Sequence, residues 1–135
     1  MFFMDESGRP LPEGTVLRDP ETHHTGLIAY DQIGRQIALH LSKRLGRAVA
    51  SPPEEMNDGI RPMVVDRYPQ TPEEGSRAVQ HAWAEVQRGV RWTWFNNCQD
   101  FVSRAYKGQS GSPTRDLIFG GLCVVGLLFA VANSK

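Results

Sequence analysis

Cysteine is scarce in this chain: Cys98 and Cys123 are the two present in 135 residues. That excludes a disulfide framework and points to a reducing compartment. No Cys-x-x-Cys occurs, and His23, His24, His40 and His81 show no zinc-site spacing, so neither a metal nor another cofactor is expected. Charge of one sign is lacking as well. Fifteen basic residues balance 15 acidic ones, and no basic stripe interleaved with aromatics appears, which sets nucleic acid aside as a partner. The start, Met1-Phe2-Phe3-Met4-Asp5-Glu6, has no basic residue and only a short apolar run. No cleaved secretion signal is expected, and the cytoplasmic side is the expected location. There is no internal repeat. What remains, 40% hydrophobic and 22% charged residues, suits one globular domain with one core.

Three segments follow from the residue pattern. Residues 1–13 are polar, carry Pro and Gly, and read as a loosely held N-terminal segment. Residues 14–112 carry the elements of a domain, and 113–135 an apolar tail. Gly14–Asp19 reads as a short strand and His24–Tyr30 as a second. Asp31–Gly34 is a turn with Gly34 free to take positive φ. In Arg35–Leu41, Ile37, Leu39 and Leu41 share one face, and Gln36, Ala38 and His40 the other. Such a hairpin brings His24 and His40 to the same end of the sheet. Residues 42–60 read as a basic patch, then Pro52-Pro53 and an acidic loop. Met63–Asp66 is a further candidate strand. Thr71-Pro72-Glu73-Glu74 is a helix start, with Thr71 as cap and Glu74 completing a capping box, and Gly89 is its stop. Asn96-Asn97 supplies N-caps for a second helix over 98–107, stopped by Gly108. Cys98, Phe101, Val102 and Ala105 lie at i, i+3, i+4 and i+7, so Cys98 sits in the first turn of the packed face.

A thiol becomes a strong nucleophile as a thiolate, and a helix N-terminus and a nearby imidazole both favour that form. The reading therefore makes Cys98 the nucleophile and His24 the general base, with His40 orienting the imidazole. His23 is the alternative base. Strand alternation, and the glycine two positions after His24, favour His24. Asn97, Gln99 and Tyr30 are candidate oxyanion or substrate contacts, alongside the backbone N–H groups of the helix start. The competing reading of each residue is structural: a cysteine at a helix start is most often a small buried side chain.

Asn97-Cys98-Gln99-Asp100-Phe101-Val102, followed by Tyr106-Lys107-Gly108, resembles the Asn-Cys-Glu-His-Phe-Val motif of the lecithin:retinol acyltransferase family and its HRASLS-type phospholipase/acyltransferase relatives. His24-Thr25-Gly26-Leu27-Ile28-Ala29-Tyr30 resembles that family's His-x-Gly-Ile-Tyr strand, Ile37–Leu41 its second histidine strand, and Gly14–Leu17 its opening strand. The resemblance spans about residues 12–112 in the family's order. Asp100 stands where the family has histidine, Gln99 where it has glutamate, and the His24-to-His40 separation is longer. The resemblance implies an α+β, circularly permuted papain-like fold of the NlpC type. In it, a small antiparallel sheet packs on the cysteine-bearing helix. It also implies an acyl-thioester on the cysteine, with a lipid acyl ester as substrate.

Leu117–Ala132 carries no charge and reads as an apolar C-terminal helix of about 24 Å, short of the roughly 20 residues a bilayer core needs. The resemblance favours membrane association through it; the alternative is a buried or dimer-forming helix. Three functions follow as expectations. The first is a cysteine-dependent acyl hydrolase or acyltransferase of phospholipase A type. The second is a thiol peptidase or amidase using the same residues on a peptide-like substrate. The third is a non-catalytic binding module on the same fold.

Overall fold

The computed structural model of the protein describes residues 3–108. The apolar stretch Leu117–Ala132, and with it the expected C-terminal helix and Cys123, lies outside the described residues. Among the described residues, no helix is long and apolar enough to cross a membrane.

The architecture is α+β. Strands β1 (Val16–Arg18), β2 (Thr25–Tyr30), β3 (Gln36–Ser42), β4 (Arg47–Ser51) and β5 (Val64–Arg67) form one antiparallel sheet in the order β4-β3-β2-β1-β5. Helices α1 (Pro72–Arg88) and α2 (Cys98–Lys107) follow the sheet in the chain. Register explains the layering. Leu27 pairs with Leu39, and with Val16, Ala29 and Leu41 they form a cluster with Ala78, Val79 and Ala82 of α1 and Phe101 and Ala105 of α2. The alternate residues Leu17 and Ile28 face the other way, into a smaller cluster with Leu11. Strand β2 is thus covered on both sides. This is why Thr25–Ala29 is buried without a break and apolar from Leu27 to Ala29. The two helices are locked by Arg104, whose Nε and Nη2 both donate to the buried Glu85 carboxylate (Nε to Oε1 at 3.0 Å, Nη2 to Oε1 at 2.5 Å).

Three sequence expectations change. Residues 3–13 are tied down rather than loose. Leu11 is buried, its N–H donates to Phe3 O at 3.1 Å, and Phe3 N–H donates to Gln36 Oε1 at 2.6 Å. Leu11 and Phe3 both pack on the Leu17–Ile28 face of the sheet, which folds the polar segment back. The segment 42–60 contains a strand, β4, and a 3₁₀ turn, η1 (Pro53–Met56). Ala48 and Val49 are buried while Arg47 and Ala50 are exposed, and the basic neighbours Lys43 and Arg44 belong to the turn before it. Glu74 accepts from Gln70 N–H at 2.8 Å, one residue beyond the Thr71 cap, so it steadies the chain entering α1 rather than closing a box on Thr71. Thr71 itself caps as expected, accepting from Glu74 N–H at 3.1 Å.

Candidate active site

His24 is delivered by a loop wound around one carboxylate. Asp19, fully buried, accepts at Oδ1 from the N–H groups of Glu21 (2.8 Å) and Thr22 (3.3 Å), and at Oδ2 from Arg61 Nη1 at 2.5 Å. Its own N–H donates to His24 O at 2.8 Å, and its carbonyl accepts from His23 N–H at 2.9 Å. Burial pushes the Asp19 carboxyl up, but these donors outweigh it and hold it below the usual carboxylate value. The loop turns over at His23, which takes φ 62° and is exposed, while His24 is half-buried.

From His24 a chain of hydrogen bonds runs across the sheet. His24 Nε2 lies 2.9 Å from His40 Nδ1, His40 Nε2 lies 2.9 Å from Ser51 Oγ, and the Ser51 hydroxyl donates to Pro52 O at 3.2 Å. The Pro52 carbonyl can only accept, and one tautomer order follows when the Ser51 hydroxyl donates to it. Ser51 donates to Pro52 and accepts from His40 Nε2–H. His40 Nδ1 then accepts from His24 Nε2–H. His24 Nδ1 is left as a bare acceptor, and it makes no hydrogen bond among the described residues. Gly26 makes the pairing possible. A Cβ there would stand 3.0 Å from His40 Cβ, Leu39 O and Met56 Cε, where the two histidines meet edge to face with ring centroids 5.0 Å apart.

Burial lowers both imidazoles, His24 to about 4 against a partial counter-effect of Asp19, and His40 to about 3 with a further push from the neighbouring His24 and Arg44. Both are neutral at pH 7. Burial also raises the Cys98 thiol above its ordinary value, and the Thr25 backbone and hydroxyl and the Gln99 N–H offset it only in part. At rest Cys98 is a thiol and His24 a neutral imidazole, with no hydrogen bond between them among the described residues.

Cys98 is the first residue of α2, and it is a free thiol. Asn97 Oδ1 accepts from Gln99 N–H (3.0 Å) and Asp100 N–H (3.2 Å), and Asp100 Oδ2 accepts from Asn97 N–H at 3.0 Å. This reciprocal capping box explains Asp100: the residue two beyond the cysteine holds the helix start in place. Thr25 Oγ1 donates to Cys98 O at 3.2 Å, which ties α2 to the strand that follows His24. Cys98, His24 and His40 line one cavity of about 460 Å³, together with Asn97, Gln99 and Trp92.

Neither a family model, nor a curated protein, nor a solved structure matches this chain.

The structure therefore brings together Cys98, His24, His40, Asn97 and Gln99, and separates Tyr30 from them. Tyr30 lies at the other end of β2. Its hydroxyl donates to Leu11 O at 2.5 Å and accepts from Gln36 Nε2 at 3.1 Å, so it is a strut for the N-terminal segment and not an oxyanion contact. Asn97 Oδ1 and the Gln99 N–H are engaged in the helix cap. The remaining first-turn donor is the N–H of Cys98 itself, which lies against its own sulfur. His23 lines the cavity mouth without joining the His24–His40 pair. Asp19, Thr25 and Ser51 are additions. Asp19-Pro20 carried a turn signal that could have marked the first, and Ser51, at the end of a weakly patterned strand, carried none. Among the described residues no group of three or more His, Cys, Asp or Glu side chains is placed to hold a metal ion.

Proposed function

We propose that this protein is a cysteine-dependent acyl hydrolase or acyltransferase on a circularly permuted papain-like fold of the NlpC type, with Cys98 as nucleophile, His24 as general base and His40 as positioning residue. The observation that carries the reading is the ordered run His24–His40–Ser51–Pro52. Its last member, His24, lines the same cavity as Cys98, and a neutral imidazole is the group that takes a thiol proton. The chain order, histidine strands before the cysteine helix, supports the permuted fold.

In the reaction, the thiol proton passes to His24 Nδ1 as sulfur bonds to the acyl carbonyl carbon. The carbonyl oxygen takes negative charge beside the Cys98 N–H. The bond from that carbon to the leaving oxygen breaks, and His24 returns its proton to the departing alcohol, leaving an acyl-thioester. Water, or an amine in the transferase case, then attacks the thioester and gives a proton to His24. The acid or amide leaves, and the proton returns to sulfur. Because the resting pair is neutral, proton transfer accompanies attack rather than preceding it.

A second reading, a thiol peptidase or amidase, uses the same steps on an amide. The charged residues on a largely apolar cavity wall, Lys43, Arg44, Glu55 and Asp58, favour it. The test is mass spectrometry of the intact protein after incubation with a fatty acyl ester and, separately, a peptidyl ester. A stable mass increase on Cys98 from the first supports the lipid reading, and from the second alone the peptidase. No adduct from either at pH 7–9 overturns both and leaves a binding module.

A further inference from the structure

The charge of the described residues is unevenly satisfied. Arg9, Arg18, Arg35, Arg61, Arg67 and Arg104 each pair with a carboxylate. Lys43, Arg44, Arg47 and Arg91 pair with none among the described residues, and all four are exposed. They come together because the β3–β4 turn runs beside the segment that leads to α2. Trp92 N–H donates to Gly46 O at 2.9 Å, Ala48 N–H donates to Val90 O at 2.8 Å, and Arg47 bridges to Arg91. Two arginines directly opposite one another are unfavourable in an isolated sheet pair. Neither stretch, 42–51 or 86–99, contains an acidic residue, in a chain whose formal charge is zero.

Apolar side chains stand out of the same rim. Leu45, at the tip of the β3–β4 turn, is 51% exposed, Trp94 43% and Phe95 70%. The Thr93–Asn96 turn that carries the two aromatics is closed by hydrogen bonds in both directions, Thr93 N–H to Asn96 O (2.9 Å) and Asn96 N–H to Thr93 O (3.1 Å). Lys43 Nζ lies 5.2 Å from the Trp92 ring centroid, and Lys43, Arg44 and Trp92 also line the cavity of Cys98.

We propose that this rim, the turn 43–47 with the segment 91–95, is a docking surface for an anionic lipid bilayer, with Leu45 and Phe95 entering the interface and the four cations meeting lipid phosphates. Unpaired cations around protruding aliphatic and aromatic tips fit a surface with anionic headgroups over an apolar interior. The aliphatic Leu45 favours this over a nucleic acid, whose bases stack on aromatic faces. The surface is built from residues 43–47 and 91–95, and it does not depend on the reactivity of Cys98.

The test is co-sedimentation of the full chain with vesicles of phosphatidylcholine alone or with 30% phosphatidylglycerol. The protein binds the anionic vesicles more tightly, and 0.5 M salt weakens that binding. Each cation near such a surface contributes about fivefold, so K43Q/R44Q weakens binding to anionic vesicles by about 25-fold and to neutral vesicles very little. L45S/F95S weakens binding to both compositions by severalfold. R35Q, a paired arginine in the turn at the opposite end of β3, changes neither. All substituted side chains are exposed, and far-ultraviolet circular dichroism checks the fold. Equal binding to both compositions, or unchanged binding by K43Q/R44Q, overturns the proposal. So does tight binding of the wild type to poly(U) that these variants abolish without vesicle binding. None of these readouts reports on thiol acylation, so the docking surface and the proposed chemistry stand or fall separately.

Discussion

The two ends of strand β3 carry the same kinds of polar group and treat them in opposite ways. At the β2–β3 turn, Asp31 accepts from the N–H groups of Ile33 (3.0 Å) and Arg35 (2.8 Å) and from Arg35 Nε at 2.7 Å. Gly34 takes φ 82° to close the turn. Gln36 is consumed by Phe3 and Tyr30. Donors and acceptors there satisfy one another locally. At the far end, the run from Pro52 O through Ser51 and His40 stops at His24, whose other ring nitrogen has no partner among the described residues, in the cavity that Cys98 also lines. A closed network stabilises a turn. An ordered network with one open terminus holds a base ready, and that difference separates structural polar groups from candidate catalytic ones in this fold.

The largest expected effects fall at the open end. Under the proposed chemistry, Cys98→Ala abolishes acyl labelling, and His24→Ala slows it by about 10³-fold, the range of a general base. His40→Ala removes the acceptor that selects the His24 tautomer and slows labelling by about 10²-fold. His40→Asn, which returns an acceptor oxygen near the Nδ1 position, recovers part of the loss and moves the pH–rate profile back toward wild type. A structural role alone predicts equal losses for both substitutions, with the profile unmoved. Wild-type labelling in His24→Ala would sink the base assignment.

The next effect is in pH. Both imidazoles are lowered by burial, to about 4 and about 3, while in the unfolded chain they titrate near 6.5. Between those values the unfolded state takes up protons that the folded state refuses. The stability contribution is therefore full above about pH 6.5 and is lost as pH falls toward 4, at up to about 1.4 kcal/mol per unit for each ring. Urea midpoints at pH 7, 5.5 and 4.5 should fall in that order. A flat response down to pH 4.5 would mean the rings are solvated. The raised thiol gives a companion result: alkylation of Cys98 by iodoacetamide climbs through and beyond the ordinary thiol range, with no plateau at neutral pH.

How much of this could be read in advance depended on range. Helix α2 was legible from Asn97 to Gly108 because capping is local chemistry. The pairing of His24 with His40 was legible because alternation and one turn glycine fix a hairpin, whereas His23 is set apart by the left-handed turn it makes before β2. Strand β4 was not, since Arg47-Ala48-Val49-Ala50-Ser51 owes its burial to partners in β3 and to the chain after α1. Ser51 was hidden with it. Asp19 meets Arg61, 42 positions away, and no spacing rule covers that distance. Tyr30 was misassigned because lying on the strand of His24 does not say which end a hydroxyl serves.

Gly26→Ala sharpens the comparison from within. The added Cβ meets His40 Cβ, Leu39 O and Met56 Cε at 3.0 Å. Met56 can yield, but the strand backbone and the base of the histidine side chain cannot. A cost of about 1–3 kcal/mol in urea unfolding is expected, with a labelling loss larger than stability alone explains, because the displaced element is His40.

The smallest effect belongs to the closed end, and it decides whether the contrast is real. Arg35→Ala breaks an ion pair whose arginine is 75% exposed. Solvent screens such a pair, so the loss of stability is small. The turn persists, because the Asp31 carboxylate still accepts from the Ile33 and residue-35 backbone N–H groups. Cys98 labelling should be unchanged, since no hydrogen bond among the described residues links Arg35 to His24 or His40. A several-fold change in labelling would show that the two ends are coupled through β3. The open terminus would then be a property of the whole hairpin rather than of the residues that form it.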